Sequence, residues 1–117
     1  MEKPVLWLGS ALKDLKAFPA DARRMAGYQL FRLQQGSQPS DWKPMAAIGP
    51  GVEEIRIHTK LEHRVIYVAR FAQGVCVLHA FEKRGRQTAA KDLELARSRL
   101  RELMAGKRRK RHETERS

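Results

Sequence analysis

The spacing of hydrophobic residues changes along the chain, and these changes predict both helices and strands. Between residues 52 and 82, three segments rich in β-branched and aromatic residues are joined by short links, which is typical of an antiparallel meander. Two earlier segments and one later segment carry hydrophobic residues every three or four positions, as amphipathic helices do. The pattern predicts strands at 4–8, 52–58, 63–71 and 74–82 and helices at 10–18, 21–35 and 88–105.

The resulting order, β-α-α-β-β-β-α, predicts an α+β fold with a small antiparallel sheet. We expect the helices to pack on one face of this sheet and leave the other face partly open. The Gly-, Pro- and Ser-rich segment 36–51 is predicted to be a loop. The apolar positions of the second helix are predicted to be Met25, Tyr28, Leu30, Phe31 and Leu33.

The length of 117 residues is that of one domain, which we assign to residues 1–106. Residues 107–117 are mostly charged and have no apolar stripe, so they are predicted to form a basic disordered tail.

Charge is the strongest compositional signal. The chain has 24 Lys and Arg against 13 Asp and Glu, a net charge of +11. Residues 107–117 supply six basic and two acidic side chains, so the rest of the chain is positively charged as well. Such a balance attracts polyanions, and nucleic acid is the first partner to expect.

Several other classes of protein lack support. No apolar run approaches the roughly 20 residues that span a bilayer, and the short apolar patch near the N-terminus does not resemble a signal peptide, so we expect a cytoplasmic protein without a membrane partner. The single cysteine, Cys76, excludes an internal disulfide and is expected to be a buried small hydrophobe. No phosphate-binding loop, metal-ligand spacing or nucleophile elbow appears, and we expect neither a cofactor nor a metal.

Charged residues in the predicted strands alternate with the apolar ones. Glu54, Arg56 and His58 point to one face of their strand, and His79, Phe81 and Lys83 share a face in the last strand. Basic residues with aromatic rings between them can neutralise phosphates and stack on bases. The alternative to a functional surface is the ordinary solvent-exposed face of a half-buried sheet. His79 could equally be a buried core histidine or a catalytic acid or base.

The stretch from Trp42 to Ala96 resembles the phage-derived HigB-like branch of the RelE/ParE toxins. Four motifs carry the resemblance, and they occur in the family's order. The last of them departs from the family pattern, because the segment before the final helix lacks its proline. In this chain the motifs read Trp42-Lys43-Pro44-Met45, Glu54-Ile55-Arg56, His63-Arg64-Val65-Ile66-Tyr67 and Leu78-His79-Ala80-Phe81-Glu82-Lys83-Arg84.

The resemblance implies a RelE-like fold and a toxin of a type II toxin–antitoxin system. Such a toxin is an endoribonuclease that cleaves messenger RNA on the ribosome without a metal, by attack of the RNA 2′-hydroxyl, and a cognate antitoxin, often a helix-turn-helix protein, inhibits it. The expected catalytic residues are Arg56, Arg64, His79 and Lys83, with proton transfer assisted by His79 or Tyr67. The expected RNA-binding residues are Tyr67, Phe81, Arg84 and Arg86.

Two alternatives stay open at this point. A ParE-like protein inhibits DNA gyrase by binding alone, on the same scaffold. A phage protein that binds nucleic acid without catalysis fits the same charge and fold.

Overall fold

Helices and strands follow one another along the chain much as the hydrophobic pattern predicts. The computed structural model describes residues 2–116, with side chains described as far as Lys107. The elements are β1 (Val5–Trp7), α1 (Ala11–Lys16), α2 (Ala20–Gln34), β2 (Trp42–Pro44), β3 (Val52–His58), β4 (Glu62–Val68), β5 (Val75–Glu82) and α3 (Ala90–Arg116). The α+β class is confirmed.

The sheet is mixed, and in this respect the predicted antiparallel sheet is wrong. Within the described residues its five strands have the order β1-β5-β4-β3-β2. Strands β2 to β5 pair antiparallel, but β1 lies parallel to β5. Strand β2 lies inside the segment predicted to be a loop. It accommodates Pro44 because an edge strand can tolerate a residue without a backbone N–H group.

Helices cover both faces of the sheet, so the prediction that they pack on one face is also wrong. Helices α1 and α2 pack on the side chains of Ile55, Ile57 and Val65. Helix α3 packs on the opposite face, where Ala96 joins a cluster with Ile66. The physical reason is visible in β4 and β5, where apolar residues stand at consecutive positions and therefore need cover on both sides.

Helix α2 buries a different stripe from the one predicted. Leu30 and Leu33 are in the core as expected, but Met25, Tyr28 and Phe31 are exposed. Alanines take their place in the core, since a small side chain lets the helix lie close to the sheet. The buried stripe consists of Ala22, Ala26, Leu30 and Leu33.

Helix α3 is longer than predicted, because it continues through Gly106, where the pattern indicated its end. The buried Arg99 anchors this helix by donating hydrogen bonds to the carbonyl oxygen of Leu78 (2.9 Å) and to the Ser10 hydroxyl (2.8 Å). Lys107 lies 3.9 Å from the Phe71 ring centroid. The predicted disorder of the tail at 107–117 stays a prediction, because the side chains after Lys107 lie outside the described residues.

Candidate nucleic-acid interface

Three predicted site residues form a row across the sheet on the face that α3 only partly covers. Arg56 of β3 pairs with Arg64 of β4, and Arg64 pairs with Phe81 of β5. Paired residues on neighbouring strands project from the same face. Ile66, two positions after Arg64, packs against α3, which identifies the face.

A β-bulge in β5 brings His79 and Phe81 to this face. The register shifts so that Ile66 pairs with His79 while Tyr67 pairs with Val77, which leaves Leu78 as the extra residue. Val77 accordingly faces α1 and α2, whereas Phe81 faces α3, although both occupy odd-numbered positions. A bulge commonly redirects side chains in this way beside functional sites.

A buried carboxylate stands beside the two arginines. Glu54 is 2% exposed, and its Oε1 atom lies 3.5 Å from Arg56 Nε and 3.7 Å from Arg64 Nε. Arg64 is itself only 4% exposed, and its Nη1 atom also donates to the backbone oxygen of His63 (3.0 Å). The other carboxylate oxygen of Glu54, Oε2, is buried and has no hydrogen-bond partner among the described residues. A buried oxygen without a hydrogen bond destabilises a fold by about 1–3 kcal/mol, so binding of a further hydrogen-bond donor to Oε2 would be favourable.

Basic side chains surround this carboxylate at a pocket of about 330 Å³. Glu54 lines the pocket together with Lys43 of β2 and with Lys83 and Arg86, which follow β5. The pocket is therefore lined by three cations and one carboxylate, an arrangement suited to a phosphodiester anion whose neighbouring hydroxyl group donates to the carboxylate.

A second pocket, of about 600 Å³, lies between the end of β5 and the start of α3. Its lining includes Phe81, Arg84 and Lys91, and Lys83 lines both pockets. The two pockets are therefore neighbours, and a strand of nucleic acid that occupied both would pass Lys83.

His79 connects the sheet to α3 beneath this surface. Its Nε2 atom is 2.8 Å from Asp92 Oδ1 in the first turn of α3, and its ring stacks on Phe81 with centroids 4.8 Å apart. Both rings are buried. The described contacts thus make His79 a support for Phe81 and for the start of α3.

A second ionic group lies at the edge of the same surface. His58 bridges two carboxylates, with Nε2 at 2.6 Å from Asp41 Oδ2 and Nδ1 at 2.7 Å from Glu62 Oε1. The hydrogen bond to Asp41, followed by the interaction with Glu62, raises the pKa of His58 against the opposing effect of burial. Burial also opposes the change at Glu62, but hydrogen bonds from Arg64 and His58 lower its pKa. Both bridges of His58 are complete only when the imidazole is protonated.

The structure brings most of the predicted site residues together. Tyr67 is the exception, and its predicted contact with RNA is wrong: its side chain is fully buried on the opposite face, under α1 and α2. Burial is also the main reason that its pKa is raised well above the ordinary value for tyrosine. Arg84 is at the rim, with an 84% exposed side chain that pairs with Glu82. The residues that reach the shared face or its two pockets are Arg56, Arg64, His79, Phe81, Lys83, Arg84 and Arg86.

Sequence reasoning missed three residues that shape the site. Glu54 shares the face of Arg56 by simple alternation, so that signal was available, but the residue was not assigned a role. Lys43 lies in the unpredicted strand β2, and the role of Asp92 depends on where α3 meets the sheet. Among the residues whose side chains the structure describes, 2–107, no group of three or more His, Cys, Asp or Glu is placed to hold a metal ion. None of the helices in that range is long and apolar enough to cross a membrane.

The fold and this surface define a small basic α+β protein with a cation-lined pocket around a buried carboxylate. Comparison with protein families gives a more specific assignment. The model of the family described as phage derived protein Gp49-like (DUF891) matches residues 13–101, so the chain belongs to this family. The family is associated with RelE-like toxins of toxin–antitoxin systems. A search of curated proteins finds no match.

Proposed function

We propose that this protein is a cytoplasmic toxin of a type II toxin–antitoxin system that cleaves messenger RNA on the ribosome. The observation that carries the proposal is the buried Glu54 carboxylate, which has one oxygen without a partner in the described residues and three cations around its pocket. A cognate antitoxin, of the helix-turn-helix type, and the ribosome are the expected partners.

The chemistry follows from the needs of RNA cleavage. When bound RNA displaces the side chains that cover it, Glu54 Oε2 accepts the proton of a ribose 2′-hydroxyl, and the resulting oxygen attacks the adjacent phosphorus. The bond from phosphorus to the 5′-oxygen then breaks, giving a 2′,3′-cyclic phosphate and a 5′-hydroxyl end. We assign the proton that the 5′-oxygen takes up to the ammonium group of Lys83. No metal is needed for this reaction, because the nucleophile is an internal hydroxyl group.

The two arginines have different tasks in this scheme. Arg64 is buried and contacts Glu54 and Glu62, so it positions the base and does not touch RNA. Arg56 has a side chain that is one-third exposed and can contact the phosphate while it also holds Glu54. Lys43 and Arg86 add charge at the same pocket, and preorganised donors of this kind stabilise the charge that develops on the phosphate.

The test compares cleavage with RNA affinity in the same variants. Glu54→Gln keeps the size of the side chain and removes the base, so we expect cleavage on programmed ribosomes to fall about 10²-fold or more while RNA affinity stays within a few-fold. Lys83→Ala and Arg56→Ala should each reduce cleavage by about 10²-fold. Lys13→Ala, on α1 and on the far side of the sheet, is the matched control and should leave cleavage unchanged. Near-normal cleavage by folded Glu54→Gln would show that the assigned base is wrong.

The outcome also separates the two alternative functions. RNA binding without cleavage by the wild-type protein would favour a non-catalytic binding protein. Inhibition of gyrase supercoiling, with no effect on messenger RNA, would favour the ParE-like alternative.

A further inference from the structure

The outward face of α2 carries large apolar side chains that the domain itself leaves uncovered. Met25, Tyr28 and Phe31 are 41%, 55% and 49% exposed. Their spacing of three residues places them along one side of the helix, away from the buried stripe that includes Ala26 and Leu30. Single exposed apolar residues are ordinary, but a row of three on one helix is typical of an interaction surface.

A glycine lies within this row, and nothing in the fold explains it. Gly27 is in the interior of α2, where glycine is a poor helix former. A Cβ atom added at Gly27 would meet no heavy atom within 4 Å among the described residues, and the φ angle there is not positive, so neither packing nor backbone geometry requires glycine. Gly27 instead leaves a gap beside Phe31, one helical turn further along, into which a side chain of a packed partner helix can fit.

The charges on α2 indicate what kind of partner fits. The helix carries three arginines, at positions 23, 24 and 32, against a single acid, Asp21. A second copy of this chain would place like charges opposite one another, whereas an acidic partner would be attracted. The surface also lies across the sheet from the cation-lined pocket, so a partner bound there leaves the pocket open.

We infer that the outward face of α2 is a docking surface for an amphipathic, acidic helix of a partner protein. The apolar side of that helix would pack on Tyr28 and Phe31, with one side chain in the gap at Gly27. Its flanking carboxylates would meet the arginines of α2. This inference does not depend on the proposed nuclease activity, because it concerns a different surface.

The experiment uses the full chain and a defined probe. The probe is a fluorescein-labelled 18-residue peptide with leucines on one helical face and glutamates on its flanks, titrated by fluorescence anisotropy at physiological salt. A peptide of the same composition in scrambled order carries the same charge without an apolar face. We expect the ordered peptide to bind at least tenfold more tightly than the scrambled one, because charge alone attracts both.

Variants of α2 locate the contact. Phe31→Ser and Gly27→Leu should each weaken binding at least tenfold, and both positions are solvent-facing, so the protein should stay folded. Leu61→Ser removes an equally exposed apolar side chain from the β3–β4 link and should have no effect. Gly27→Ala separates binding from structure, since it should raise the melting temperature by a few degrees and yet weaken binding.

Four results would overturn the inference. The first is equal binding of the scrambled peptide, and the second is unchanged peptide binding by Phe31→Ser and Gly27→Leu. The third is a labelled RNA oligonucleotide that competes with the peptide for the wild type but not for Phe31→Ser. The fourth is a wild-type dimer in sedimentation that Phe31→Ser dissociates. The third result would assign the surface to RNA, and the fourth to a second copy of the chain.

Discussion

Replacement of Arg64 by alanine should destabilise the protein far more than its charged character suggests. A solvated arginine would cost under about 0.5 kcal/mol. Arg64, however, is 4% exposed, and its guanidinium group contacts Glu54, Glu62 and the backbone oxygen of His63. Its removal leaves the Glu54 carboxylate, which is 2% exposed, with Arg56 as its remaining ion-pair partner among the described residues.

The structure sets the size of the effect. Removing one partner of a buried ion pair costs about 3–5 kcal/mol. Since Arg56 still lies 3.5 Å from Glu54, we take the lower end, about 3 kcal/mol. The contact with Glu62 adds little, because that carboxylate is 41% exposed. At about 4 °C per kcal/mol for a chain of this size, the melting temperature should fall by about 12 °C.

Thermal melts and urea unfolding measure this directly. Arg84→Ala is the matched control. The Arg84 side chain is 84% exposed and pairs with Glu82 at 2.9 Å, close to the 3.1 Å between Arg64 and Glu62. Its removal should cost under about 0.5 kcal/mol. In a Glu54→Gln background, Arg64→Ala should cost about 1–3 kcal/mol less than in the wild type, because the buried charge is gone. If Arg64→Ala melts like Arg84→Ala, the claim that Arg64 neutralises a buried carboxylate is refuted.

Four further predictions concern other parts of the molecule. His58 should titrate above about pH 6.5 in an NMR experiment, and Asp41→Asn should lower its pKa. Because the pKa of His58 is raised in the folded state, the stability that its bridges contribute is complete below pH 6.5 and is lost as the pH rises through the folded pKa. A histidine that titrates normally would contradict the bridge. Cys76 should react slowly with iodoacetamide until urea unfolds the protein, since burial hides its thiol and raises its pKa; fast labelling of the native protein would show that β5 opens. Gly9→Ala should lower stability by about 1–3 kcal/mol in urea unfolding, because φ is +53° there and a Cβ atom would lie 2.6 Å from Arg99 Nε; a neutral effect would mean that Arg99 moves freely. Truncation after Gly106 should reduce the salt dependence of RNA binding measured by anisotropy, since it removes six basic residues, and an unchanged slope would exclude the tail from the contact.

The elements with a clear repeating pattern could be predicted from the sequence. Strand β3 was predicted with its observed bounds, 52–58, because polar and apolar residues alternate from Glu54 to His58. Burial of Cys76 followed from the apolar run around it and is confirmed. The shared face of Glu54 and Arg56 in β3, and that of His79 and Phe81 in β5, followed from alternation within each strand.

Other features depend on contacts that no local pattern encodes. The bulge at Leu78 reverses the facing of the odd-numbered residues in β5, so His79 reaches the site face while Val77 enters the opposite core. Tyr67 was assigned to the site from the family resemblance, but it lies three positions after Arg64 along the strand, which corresponds to the opposite face. For Met25 and Phe31, helical spacing could not distinguish a buried stripe from an exposed one.

The burial of two charged residues, Arg64 and Glu54, could not be predicted for a related reason. The depth of Arg64 and Glu54 depends on β3 and β4 lying inside the sheet, with β2 added at the edge. When residues 42–44 are predicted to lie in a loop, β3 becomes the edge strand of the sheet and Glu54 an ordinary surface carboxylate. The added strand changes Glu54 from a surface charge to the central group of the pocket.

The ends of the cleaved RNA test the central claim most directly. Wild-type protein and Glu54→Gln would be incubated with ribosomes translating a defined messenger RNA, and the fragments analysed by mass spectrometry. Attack by the 2′-hydroxyl predicts fragments with 2′,3′-cyclic phosphate and 5′-hydroxyl ends from the wild type, and at least about 10²-fold less of both from Glu54→Gln. Intact messenger RNA with the wild type, or fragments with 5′-phosphate and 3′-hydroxyl ends, would contradict the proposed reaction.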